Sequence, residues 1–101
     1  MALHILLVDD EEEFAQTLAE RLELRGFMVH VANSGDRALR MVDECPARIM
    51  LLDLKMPGMD GLEVLRRIKK KDAGMQVIIL SGHGSEMDEA YARGLGALEY
   101  L

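Results

Sequence analysis

The chain has a single cysteine, no tryptophan, two prolines and few aromatic residues, and each scarcity excludes something. Cys45 alone cannot form an internal disulfide, which fits a reducing, cytoplasmic compartment. No apolar run approaches the roughly 18 to 20 residues that cross a bilayer, so no membrane role is expected. Met1-Ala2-Leu3-His4 puts no basic segment ahead of its short apolar run, and Asp9 and Asp10 end that run at once, unlike a secretory signal. Basic residues are outnumbered, giving a net charge of −6. That balance argues against direct nucleic-acid binding, because affinity for a phosphate backbone rests on Lys and Arg. His4, His30 and His83 are scattered without ligand spacing, so no zinc site is expected. No linker, low-complexity tract or solenoid repeat interrupts the 101 residues, which read as one domain, 1–101.

What is present is an alternation of short apolar runs with amphipathic stretches of helical period, the pattern of repeated βα units around a parallel sheet. Strands are expected at 3–8, 27–31, 48–52, 76–80 and from 97 onward. Between them, a helix over about 12–25 places Phe14, Leu18 and Leu22 on one face and ends at Gly26. A second helix, after Asn33-Ser34-Gly35, turns Ala38, Leu39 and Val42 inward and closes at Pro46. A third, capped by Asp60, buries Leu62, Leu65 and Ile68 and ends on Lys69-Lys70-Lys71, which suits the negative pole of a helix. Ser85 and Asp88 open a short fourth helix as a capping-box variant. The right-handed crossover rule then makes a doubly wound, five-stranded α/β sheet the natural closure.

The candidate chemistry lies where strands end. Leu6-Leu7-Val8 runs into Asp9 and Asp10, Met50-Leu51-Leu52 into Asp53, and Ile78-Ile79-Leu80 into Ser81. If those strands are parallel neighbours, three carboxylates and a hydroxyl share the carboxyl edge, where open α/β sheets place their ligands. Such a cluster repels itself unless a proton or cation is shared, so a divalent metal is expected before any substrate. Glu11, Glu12 and Glu13 read as a solvated first turn that complements the helix dipole. Taken alone, Asp53 reads equally well as a turn cap, and its two acidic companions favour a site.

Four segments in register carry a resemblance. Val8-Asp9-Asp10-Glu11, Leu52 to Gly61 around Asp53, Leu80-Ser81-Gly82-His83-Gly84 and Gly96 to Leu101 together resemble the receiver domain of bacterial two-component response regulators. The resemblance implies a flavodoxin-like sheet of order 2-1-3-4-5 and a phosphorelay module switched by phosphorylation of Asp53. It implies Mg²⁺ held by Asp9, Asp10, Asp53 and the backbone carbonyl of Lys55. Ser81 would bond the phosphoryl group, Tyr100 would be the aromatic switch, and Lys55 and His83 would tune phosphoryl lifetime. The implied partners are a sensor histidine kinase or phosphotransfer protein and either an output domain or a partner outside this chain.

The family also carries a Lys and a last helix beyond the fifth strand, and that Lys would fall two residues past Leu101. For this 101-residue form, impaired phosphorylation is therefore expected, with self-association through the face the helix would cover. Lys55 either faces solvent or partly replaces that ammonium. Two rivals remain open. A Mg²⁺-dependent phosphohydrolase using an Asp nucleophile would want an acid two residues beyond it, where Lys55 stands. A flavin carrier would want a Ser/Thr-rich phosphate loop after the first strand, which is missing.

Overall fold

A computed structural model describes residues 3–53 and 61–80, together with the backbone of 99–100. The elements run β1 (His4–Val8), α1 (Glu12–Leu24), β2 (Met28–Ala32), α2 (Gly35–Glu44), β3 (Ile49–Leu52), α3 (Gly61–Lys71), β4 (Gln76–Ile79) and β5 (Glu99–Tyr100). All strand pairs are parallel, and the sheet order is β2-β1-β3-β4-β5. This is the flavodoxin-like, doubly wound order. The chain leaves β1 toward one edge and returns across it toward the other, so the topological switch lies between β1 and β3. The expected helix opening at Ser85, the Asp60 cap and the positions of Ser81, His83 and Lys55 lie outside the described residues.

Period-2 side-chain alternation divides the apolar residues between two faces. Leu6, Val8, Ala32, Met50, Leu52, Val77 and Ile79 join Ala38 of α2 and Val64, Leu65 and Ile68 of α3 in one core cluster. Ile5, Leu7 and Leu51 join Ala15 and Ala19 of α1 in a second cluster. The near-continuous apolar run in β1 and β3 is thus explained by cover on both faces.

Three details differ from the expected pattern. Helix α1 is inward at Ala15, Leu18, Ala19 and Leu22, an i, i+3, i+4, i+7 stripe, and Phe14 stands 49% exposed at its margin. Leu18 and Leu22 of the expected face do point inward, while the small Ala15 and Ala19 complete the stripe and let α1 sit close on the sheet, leaving only Phe14 outside it. Second, β2 begins one residue later than expected. Phe27 is taken up by the end of α1, where its N–H donates to Leu22 O at 3.2 Å and the Gly26 N–H to Glu23 O at 3.0 Å. These two bonds form a Schellman motif, and Gly26 adopts the φ of +95° that it requires. Third, the parallel register sets His4 opposite Met28 and His30 opposite Leu6. Two histidines that are scattered in sequence thereby meet, His4 Nδ1 lying 2.9 Å from His30 Nε2. Their ring centroids are 5.2 Å apart with planes only 13° from parallel. That separation is the N···N distance plus two ring radii, so the rings lie end to end in an in-line hydrogen bond rather than one above the other.

Candidate functional site

Each acid of the cluster is placed by the strand before it. The ladder carries on one step past β1 and β3 through Asp9 N–H to Ala32 O at 3.0 Å and Asp53 N–H to Val8 O at 2.9 Å. Both main chains are therefore tied to the sheet at the point where their side chains emerge. One carboxylate oxygen from each of Asp9, Asp10 and Asp53 lies within 4.8 Å of the other two. They sit at the carboxyl edge beside the β1/β3 switch, as the strand-end argument expects.

Asp9 is 4% exposed and is the buried charged residue of the described chain, whereas Asp10 and Asp53 are half-buried. Its Oδ1 accepts the Glu11 N–H at 2.9 Å, an Asx-type turn that fixes the carboxylate and starts the chain into α1. Burial pushes the Asp9 carboxyl above its ordinary range, the Glu11 bond opposes this, and the charges of Asp53, Glu11 and Asp10 push it further up. Two unit charges 4 Å apart repel by about 1 kcal/mol when fully hydrated and by about 4 kcal/mol at the effective dielectric of a protein surface. Three such pairs around one point need compensation.

An all-oxygen donor set of three carboxylates is what a hard divalent cation prefers. Ligand oxygens on one Mg²⁺ ion span roughly 3 to 4 Å, so small side-chain rotations bring this cluster onto one ion. The arrangement fits such a cation on three counts: donor chemistry, spacing and the elevated carboxyl of Asp9.

Of the other residues expected at the site, the backbone of Tyr100 lies in β5, where it pairs with Ile79 of β4. Ser81, Lys55 and His83 fall outside the described residues. One participant was missed in the sequence. The Asn33 side-chain amide donates to the Asp9 carbonyl at 3.1 Å. Asn33 stood out only as a turn former, and its reach toward Asp9 depends on a register that no local pattern reveals.

The half-buried Cys45 thiol is pushed up by burial and further by Glu44, which keeps it protonated and fits an unreactive thiol. No described helix is long and apolar enough to cross a membrane.

A doubly wound sheet carrying three carboxylates at its switch point defines an acidic-pocket α/β module. The model of the response regulator receiver domain matches residues 5–101, and the chain belongs to that family. It is 40% identical over 97 residues to the transcriptional regulatory protein CpxR of Escherichia coli, covering 96% of this chain and 41% of that protein. It superposes on a response regulator receiver domain from Clostridium thermocellum with a TM-score of 0.92 and 39% identity, covering 98% of this chain and 80% of that one. A response regulator from Burkholderia pseudomallei, with a phosphorylated aspartic acid and a calcium ion in its structure, matches with a TM-score of 0.92 and 30% identity. That match covers 98% of this chain and 58% of the Burkholderia chain. The chain spans less than half the length of the curated relatives it matches. Receiver domains are the signalling modules of two-component systems and generally bind Mg²⁺ at an acidic pocket.

Proposed function

We propose that residues 1–101 act as one receiver domain in which Asp53 accepts a phosphoryl group. Asp9, Asp10, Asp53 and the backbone carbonyl of Lys55 would hold Mg²⁺. The observation that carries this reading is the convergence of Asp9, Asp10 and Asp53 within 4.8 Å at the switch point. In the transfer, an Asp53 carboxylate oxygen forms a bond to phosphorus while the bond from phosphorus to the donor breaks, and the donor keeps that electron pair. When bound, the cation would supply charge neutralisation for the acidic pocket as the phosphoryl group arrives. The chain's own part is positioning: β3 aims Asp53, and β1 with the Asx turn holds Asp9.

After transfer, the Ser81 hydroxyl bonds the phosphoryl oxygens, Tyr100 follows as the switch residue, and Lys55 and His83 set the lifetime of the acyl phosphate. The donor is a histidine kinase or phosphotransfer protein, and an output domain outside these residues reads the switch in the cytoplasm. The net charge of −6 keeps nucleic-acid contact away from this module. Its catalysis is confined to its own phosphorylation.

The intact protein with Mg²⁺ and acetyl phosphate tests this by mass spectrometry. Addition of one phosphoryl group, lost in Asp53→Asn, supports the reading; sustained turnover of donor would favour a phosphohydrolase, and no addition would refute the reading. A polypeptide limited to these 101 residues should react slowly, for want of the lysine that the family places further on. It should also self-associate through the α1 face, where Ile49, Ile78 and Leu80 are only partly buried. Light scattering that finds a monomer at all concentrations would count against the second point.

A further inference from the structure

We infer that Asn33 is a positioning residue for the acidic site, setting the geometry of the Asp9–Asp10 pair through the peptide that joins them; this rests on the reading of that pair as cation ligands. The β1–β2 ladder closes at the Val8–Ala32 pair. One step further, the Asp9 N–H still finds Ala32 O at 3.0 Å, but the Asp9 carbonyl has passed the last paired residue. The backbone of β2 is by then turning into α2, whose N-cap is Ser34. The Asn33 side chain supplies the missing donor, reaching the Asp9 carbonyl at 3.1 Å.

That carbonyl belongs to the peptide plane whose N–H is that of Asp10. Fixing the plane fixes the Asp10 Cα relative to Asp9 and so narrows the directions in which the Asp10 side chain can leave the backbone. Together with the Glu11 N–H on Asp9 Oδ1, Asn33 locks the pair from the main-chain side and leaves the remaining carboxylate oxygens for a cation. Groups that orient metal ligands from behind commonly alter affinity by tenfold or more when removed. The Asn33 side chain bonds the Asp9 main chain rather than a carboxylate, so its effect runs through Asp9 and Asp10.

The test compares Mg²⁺ affinity by calorimetry in the intact protein, in Asn33→Ala and in Ser34→Ala. Ser34→Ala removes the α2 cap from the same loop, where Ser34 Oγ accepts the Arg37 N–H at 3.1 Å, without touching Asp9. Asn33→Ala should weaken Mg²⁺ binding about tenfold and shift the Asp10 amide resonance, while Ser34→Ala keeps wild-type affinity. Wild-type affinity in Asn33→Ala, or an equal loss in both variants, overturns the inference and leaves the site reading intact. Failure of the unmodified protein to take up Mg²⁺ overturns both. Should Asn33→Ala not fold, the unmodified protein still decides. Its Asn33 side-chain amide protons should exchange slowly, and solvent-like exchange overturns the inference.

Discussion

At the scale of single residues, Asp9 sets burial of a carboxyl against its charge. Its folded carboxyl is raised, chiefly by burial, so the folded state binds the proton more tightly than the unfolded chain. The cost of ionising Asp9 is therefore present above its folded-state value and is relieved as pH falls through that value toward the ordinary 3.8. Without Mg²⁺, Asp9→Asn should raise the melting temperature at neutral pH and flatten its dependence on mild acidification. With Mg²⁺ in excess the order should reverse, because only the wild type then gains from the bound ion. Scanning calorimetry at several pH values, with and without Mg²⁺, checks both halves. The His4–His30 bond makes a separate prediction. Alanine at either position should cost about 1 kcal/mol, and a double-mutant cycle by denaturant titration should return a coupling of similar size. Additive losses would show that the 2.9 Å contact contributes nothing.

At the scale of elements, the caps and core strands set stability. Ser34→Ala should cost about 1 kcal/mol through loss of the Arg37 bond. Gly26→Ala should cost 1 to 2 kcal/mol or so, because an L side chain resists φ near +95° even though a Cβ there meets open space. Leu52, the residue before Asp53, is fully buried within the α2/α3 cluster. Its replacement by alanine should cost about 2 to 5 kcal/mol, measurable as a shift in urea midpoint. What was legible in the sequence follows the same divide. Strands β1, β3 and β4 could be read because their apolar runs, covered on both faces in β1 and along most of β3, end abruptly on oxygen-bearing residues. The inward stripe of α1 was legible only at Leu18 and Leu22, because Ala15 and Ala19 carry weak apolar signals while Phe14 carries a strong one. The His4–His30 bond and the Asn33 bond to Asp9 depend on strand register, which links residues more than twenty positions apart.

At the scale of the whole molecule, the acidic site exists because of topology rather than local motif. Asp9 and Asp10 are more than forty residues from Asp53, and only the adjacency of β1 and β3 brings them together. Residues 69–71 show the same economy at the opposite end of α3. There Lys69 Nζ donates to Met75 O, holding the entry to β4, and Lys71 pairs with Asp43 to tie α3 to α2 at 2.8 Å. Exposed pairs of this kind contribute at most about 1 kcal/mol. The two apolar clusters therefore hold the frame that keeps the carboxylates in place. The central claim is that this frame brings three acids close enough together to hold one divalent cation. A calorimetric titration of Mg²⁺ into the folded, metal-free protein tests it most directly. One ion should bind per chain, with binding lost in Asp9→Asn and sharply weakened in Asp53→Asn. A folded protein that takes up no Mg²⁺, or binds it equally well without these carboxylates, would contradict the account.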